Sequence, residues 1–230
     1  MIDLSKYDFI DFGSGFGGCI KFAKQKLGGV NVLGFENHSG RCNDLRKQGY
    51  DCINADITKL SLPKNSVSFV TISHVLEHLK SKKDVENVIK LAVNTSEDFV
   101  FIEGPSFDFD NYLNNFDLKF LWRDGHGHST KVTVLDILSC AVKLNVLGYT
   151  LLIEYPLIVN SASKDIHPTA SPPSVHDYNP KKHPPKEFVE FDTPIYRSFI
   201  IFLWLNKRLN THKYVTSRFK FRKHRERWLR

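Results

Sequence analysis

The sequence predicts an α/β domain in which a mainly parallel sheet is covered by helices on both faces. Three observations carry this expectation. Strand-like and helix-like segments alternate from Tyr7 to Pro105, as parallel strands joined by crossover helices require. The first apolar run, "YDFIDF", ends in the glycine-rich turn "GSGFGG", a turn that lets backbone and helix N-terminus approach a ligand closely. The chain has 230 residues, 41% of them hydrophobic and 13% aromatic, which is enough for one sizeable core.

The elements follow in order. "YDFIDF" is a buried first strand, and a helix with Ile20, Phe22, Ala23 and Leu27 near one face stops at Gly28-Gly29, where a left-handed residue ends a helix. "VNVLGFE" is the second strand, ending at Glu36; "GRCNDLRKQGY" is a short helix closed by Gly49; "DCINAD" is the third strand, ending at Asp56. "SVSFVTIS" is the fourth strand, "KKDVENVIKLAVN" an amphipathic helix, and "DFVFIEGP" the fifth strand, stopped by Gly104-Pro105. The alternation then breaks. Residues 105–130 form a long connection before the helix "VTVLDILSCAVKLNVLG" and the strand "YTLLIEYPLIV". Residues 160–194 hold seven prolines, which predicts a lid or mobile loop without sheet or helix. "YRSFIIFLWLN" is the final strand.

Composition sets further expectations. The net charge is +7, but residues 207–230 carry ten Lys/Arg and one Glu, a net +9, which leaves −2 for residues 1–206. The expected division is thus a folded domain over 1–206, with lid insertions at about 105–130 and 156–195, and a basic tail at 207–230. Cys19, Cys42, Cys52 and Cys140 form no C-x-x-C pair. They are expected to be reduced and structural, without a disulfide framework or a cysteine zinc site. No run of about 18 apolar residues and no signal-peptide pattern is present, so a soluble, cytoplasmic protein is expected. Only six residues precede the first strand; a roof over a ligand there is expected from residues 105–130 and 156–195 or from another subunit.

Two nucleotide-binding signatures overlap in "DFGSGFGG". Gly13, Gly15 and Gly18 spell G-x-G-x-x-G, the dinucleotide fingerprint, while Asp11, Gly13, Gly15 and Gly17 spell D-x-G-x-G-x-G, the S-adenosylmethionine loop. Glu36, about 20 residues beyond the glycines, suits the ribose hydroxyls in either kind of site. The stretch "DITKLSLPKNSVSFVTISHVLEHL", Asp56 to Leu79, breaks the tie. It resembles the corresponding stretch of class I S-adenosylmethionine-dependent methyltransferases of the small-molecule or glycan type, and the resemblance spans residues 7 to about 104. It implies a single Rossmann-like doubly wound sheet of seven strands in the order 3-2-1-4-5-7-6, with strand 7 antiparallel. "YTLLIEYPLIV" would be strand six and "SFIIFLWLN" strand seven. It also implies S-adenosyl-L-methionine as cofactor, held by Asp11, Gly13, Gly15, Gly17, Glu36, Asp56, Ile57, Ser73 and His74, with Asp56 meeting the adenine amino group.

His74, Glu77 and His78 spell H-x-x-E-H, an inverted zinc-protease motif. The methyltransferase pattern already accounts for Leu76, Glu77 and His78, and the zinc reading would need a further carboxylate downstream, so no metal is expected. His74, just beyond the fourth strand, is a candidate substrate contact or a capping residue. "WRDGHGHST", Trp122 to Thr130, resembles the turn that many small-molecule methyltransferases place over the active site. His128 and then His126 are the candidate bases for an oxygen acceptor; a polar turn satisfied by water is the alternative.

"SHVL" after the fourth strand is not the Asn/Asp-Pro-Pro-aromatic pocket for an exocyclic base nitrogen, and no cysteine follows a proline as in cytosine-C5 enzymes. The leading expectation is methyl transfer to a small-molecule or saccharide/lipid-linked acceptor, on oxygen. The alternatives are an RNA methyltransferase with the tail as binding arm and a catalytically silent binding subunit, with NAD-dependent oxidoreduction a distant fourth. The tail interleaves Tyr214, Phe219, Phe221 and Trp228 with its basic residues. It suits RNA or an anionic membrane surface, the latter placing the protein peripherally at the inner face of the membrane.

Overall fold

The computed structural model describes residues 2–153 and 157–206 and the backbone of residues 223–228. Five strands pair in parallel: β1 (Phe9–Phe12), β2 (Val32–Glu36), β3 (Asp51–Asn54), β4 (Val67–Ser73) and β5 (Ser96–Pro105). Between them lie α1 (Gly18–Lys26), α2 (Ser39–Lys47) and α3 (Lys82–Thr95). After β5 come α4 (Asp110–Asn114), β6 (Leu118–Phe120), α5 (Val134–Lys143), β7 (Gly148–Ile153), β8 (Ile158–Asn160), β9 (Ile166–Pro168), β10 (Glu190–Ile195), β11 (Ser198–Trp204) and β12 (Lys223–Trp228). β11 runs antiparallel between β5 and β7. The order β3-β2-β1-β4-β5-β11-β7 is the expected seven-strand order, with the antiparallel strand where it was expected.

The strands alternate faces. On β5, Val100 and Ile102 belong to the core that includes Val85, Val88 and Ile89 of α3 and Ile137 of α5. Phe99 and Phe101 belong to the opposite core, with Ile20 and Ala23 of α1 and Leu45 of α2. This period of two buries both faces of a parallel sheet. On the α1 side the strand register brings aromatics side by side: Phe9 pairs with Phe69, Phe69 with Phe99, and Phe99 with Trp204. The Phe9–Phe69 and Phe69–Phe99 rings stack with centroids 4.8 and 4.7 Å apart. Phe99 and Trp204 are tilted at 5.5 Å. Such a ladder ties four strands together by side chains as well as by backbone.

Three sequence expectations are corrected. Cys42 and Cys52 are joined as a disulfide, with Cα atoms 5.7 Å apart, because α2 turns back through Gly49 onto β3 and brings positions ten residues apart face to face. Cys19 and Cys140 are free. The string "YTLLIEYPLIV" is not one strand: β7 belongs to the main sheet, whereas β8 pairs with β10 in a separate ribbon. The proline-rich segment does contain strands, because β9 and β10 sit in two-stranded ribbons, where a proline needs no ladder on both sides. Pro168 ends β9, and the β8–β10 register shifts between Glu190 and Ile195, the stretch that holds Pro194.

The two ribbons, β6–β9 and β8–β10, share one apolar cluster. Phe107, Leu113, Phe120 and Trp122 pack there with Ile158, Ile166, Phe191 and Ile195. Residues 223–228, read from sequence as part of a tail, run antiparallel to β7 as an added edge strand; residues 207–222 and 229–230 lie outside the described residues. No helix among the described residues is long and apolar enough to cross a membrane.

Candidate functional site

The carboxyl ends of β1, β2 and β4 open onto a cleft of about 570 Å³, at the point where the strand order reverses and where open α/β sheets bind their ligands. The glycine-rich loop after β1 forms one wall. Gly13, Gly15 and Gly17 have φ of 69, 50 and 84°, conformations that cost a side chain strain. A Cβ on Gly13 would in addition lie 2.4 Å from Val75 Cγ2. The Gly13 and Ser14 N–H groups donate to the Phe35 carbonyl at 2.8 and 3.1 Å, and the Ser14 hydroxyl donates to the Asp11 carbonyl. This loop can lie against β2 only because position 34 is glycine; a Cβ there would meet Ser14 Oγ at 2.6 Å.

Glu36, 3% exposed, lies in the opposite wall. Its Oε2 accepts from the Gly15 N–H at 2.9 Å and its Oε1 from the His38 N–H at 2.8 Å. Both bonds fix the carboxylate and leave each oxygen a further lone pair. Asp56 starts the 3-10 turn Ile57–Lys59, accepting from the Thr58 N–H and hydroxyl. The Thr58 side-chain bond, then the backbone bond, holds its carboxyl below the ordinary range. Ser73 donates to Glu103 Oε2 at 2.7 Å. His74 follows with φ of 53°, a strained conformation for a bulky residue.

Of the residues expected to hold the cofactor, Gly13, Gly15, Glu36, Asp56, Ile57, Ser73 and His74 line the cleft. Gly17 is the N-cap of α1, one residue behind the wall. Asp11 is fully buried beneath the loop, accepting from the Thr71 hydroxyl at 2.5 Å. Burial pushes its carboxyl up to about 6, against the opposing pull of the Thr71 bond. Ser14, Asn37, Arg41, Val75, His78 and Leu79 also line the cleft and were not foreseen. His78 was the legible one, since it stands in the quoted Leu-Glu-His string.

His126 and His128 are not in the cleft wall but adjoin it through His78. The 3-10 turn Leu76–His78 and the turn 125–130 are stitched together. The Ser129 and Thr130 N–H groups donate to the Glu77 carbonyl at 2.9 and 3.1 Å, and the Thr130 hydroxyl donates to the Leu79 carbonyl. The His78 and His128 rings meet edge to face at 4.9 Å, and His126 stacks on His128 at 5.5 Å. His126 and Gly127 have φ of 64 and 70°, the sharp turn that presents both rings. Burial lowers the basicity of His128, opposed by its bond to the Trp122 carbonyl.

Residues 10–95 match the family described as a methyltransferase domain. The chain has the class I methyltransferase fold, and residues 10–95 are similar to methyltransferase domains. A S-adenosylmethionine-dependent methyltransferase from Archaeoglobus fulgidus superposes with a TM-score of 0.59, covering 88% of each chain at 14% identity. One from Thermotoga maritima gives 0.54 over 87% of this chain and 83% of the other at 12% identity. Magnesium protoporphyrin IX methyltransferase from Synechocystis PCC 6803, with bound S-adenosylhomocysteine, gives 0.51 over 89% and 76% at 12% identity. These likenesses establish the methyltransferase fold. No curated protein matches the chain.

Proposed function

We propose that the cleft binds S-adenosyl-L-methionine and that the protein methylates an oxygen of a small molecule or saccharide, free or lipid-linked. The observation that carries this reading is Glu36. Its carboxylate is buried in the cleft wall, braced by two backbone N–H groups and facing the glycine-rich loop. Bound there, the cofactor supplies an electrophilic methyl group. Glu36 accepts from the ribose hydroxyls, Asp56 and Ile57 border the adenine, and Ser73 and His74 lie toward the methionine end, with Gly13 and Gly15 giving backbone contact. Asp11 and Gly17 act from behind, Asp11 by its charge beneath the loop and Gly17 by its place at the N-terminus of α1.

The acceptor enters on the His78–His128 side. His128 donates its Nδ1–H to the Trp122 carbonyl at 2.9 Å, since a carbonyl can only accept; its Nε2 therefore keeps the lone pair that takes an acceptor proton. His126 stacks on it as a secondary group, and His74, beside Glu77, is a further one. A second reading, an RNA acceptor held by residues 207–230, is supported by their net charge of +9. The same charge suits an anionic membrane surface, which would place the protein at the inner face of the membrane with a lipid-linked acceptor.

Calorimetry with S-adenosylmethionine and with NAD tests the cofactor; binding of NAD and not of S-adenosylmethionine overturns the proposal. Tritiated methyl transfer into fractionated extract tests the acceptor. Label is expected in the small-molecule or glycolipid fraction, and label in RNA alone moves the choice to the second reading.

A further inference from the structure

One carboxylate oxygen of Glu77 and one ring nitrogen each of His78 and His128 lie within 4.8 Å of one another. We propose that these three side chains form a site for one divalent transition cation of the zinc class, at the acceptor side of the cleft. Four observations support it independently of the fold.

The first is the donor set. Two imidazoles and one carboxylate make a three-ligand site that leaves a tetrahedral cation a fourth, open position. The second is the state of the rings. His78 Nδ1 lies 3.2 Å from the Gly127 carbonyl and His128 Nδ1 2.9 Å from the Trp122 carbonyl. Both Nδ1 atoms must carry protons, so both Nε2 atoms keep lone pairs. Ligating histidines are oriented in this way, by a backbone acceptor on the far nitrogen. The third is Glu77. It is 2% exposed, and its Oε1 makes no hydrogen bond among the described residues. His74 Nδ1 lies 3.4 Å from that oxygen. A buried carboxylate oxygen left so sparsely satisfied is costly unless a cation faces it. The fourth is construction. The Ser129 and Thr130 bonds to the Glu77 carbonyl hold together two segments some fifty positions apart, and they do so at the residues that supply the donors.

The donor atoms must close from 4.8 Å to about 3.3 Å, the ligand spacing set by bonds of about 2.0 Å in a tetrahedral shell. His78 is exposed and His128 half-buried, so their rings are the parts able to move. The open position faces the side by which an acceptor enters. A hydroxyl or water bound there loses its proton to solvent more readily, because a Lewis acid stabilises the oxyanion; with the cation bound, His128 Nε2 is a ligand and the cation replaces it in activating the acceptor. That use of the site rests on the methyltransferase reading; the cation site itself does not.

The experiment uses the untagged full-length protein, stripped with chelator and titrated with Co2+. One equivalent should bind with the visible absorption of a tetrahedral cobalt centre and be displaced by Zn2+. Glu77→Gln and His128→Ala should each weaken binding by about 100-fold or more, beyond the 10- to 100-fold typical of losing an outer partner. His176→Ala, which removes an exposed histidine elsewhere, should not. Circular dichroism and thermal melting of the same preparations report whether each variant is folded, S-adenosylmethionine calorimetry separately tests the cofactor reading, and His78→Ala serves where Glu77→Gln is not folded. Absence of stoichiometric binding in the wild type, or binding unchanged in folded Glu77→Gln and His128→Ala, overturns the proposal. Cobalt binding without S-adenosylmethionine binding overturns the proposed function and leaves the cation site standing.

Discussion

Exchanging Glu36 for glutamine changes one atom and should damage both stability and cofactor binding. In the native protein the two carboxylate oxygens each accept a backbone N–H, from Gly15 at 2.9 Å and from His38 at 2.8 Å. A glutamine can offer its single carbonyl to only one of them, and its NH2 then faces the other donor. One charge-assisted bond is lost, worth about 1.5–3 kcal/mol, and a buried N–H is left unsatisfied. A total of about 3 kcal/mol is the expected order. In a chain of this length each kcal/mol moves the midpoint by about 2–4 °C, so thermal unfolding should shift down by about 6–12 °C. In calorimetry, S-adenosylmethionine affinity should fall by about tenfold or more, since a ribose hydroxyl loses an acceptor. Glu36→Ala should be worse on both counts. A Glu36→Gln protein with wild-type melting and wild-type affinity would refute the assignment of Glu36 as the fixed ribose acceptor.

Gly13→Ala should abolish measurable cofactor binding while the protein still folds, because the added Cβ meets Val75 at 2.4 Å and φ is 69°; tight binding by this variant would show that the loop is not the cofactor wall. Asp11 is protonated more readily folded than unfolded, its value being raised from 3.8 to about 6. Stability from this group is therefore greatest below pH about 4 and is lost as pH rises toward 6, about 3 kcal/mol in all. Denaturant titrations at pH 4 and 7 should show this loss in wild type and not in Asp11→Asn; an equal pH response in both would exclude it. His128→Ala should lower turnover by about 100- to 10,000-fold with cofactor affinity little changed, and turnover within a few-fold of wild type would reduce this histidine to a turn residue. Deleting residues 207–230 removes the net +9 and strips β12 from the β7 edge. Salt-sensitive co-sedimentation with anionic vesicles, or salt-sensitive RNA affinity, should disappear with it, and equal behaviour of both proteins would leave the tail without a polyanionic partner.

The sheet was legible because its signals are local. Glycines mark the β1–α1 turn, and apolar runs of strand length alternate with helical periodicity, so most of the order from β1 to β5 can be read in a window of a few residues. The cleft followed from the same signals, and Glu36 from its place at the end of β2. What was not legible depends on contacts distant in sequence. Cys42 and Cys52 read as unpaired thiols because no framework spacing marks them, yet the α2–β3 return brings them together. The ribbons in the proline-rich segment were hidden by the prolines, which exclude a central strand but tolerate an edge. His74, Glu77 and His78 were visible as a string, but the third member of the cluster, His128, is joined to them by contacts some fifty positions apart in sequence, among them the bonds from Ser129 and Thr130 to the Glu77 carbonyl.

The apolar cluster under the two ribbons is separate from both cores of the main sheet. Ile158, Ile166 and Phe191 can thus be exchanged with little effect on the strands that carry the glycine loop and Glu36. Sequence change can therefore accumulate in the ribbons while the half that carries the glycine-rich loop stays as it is.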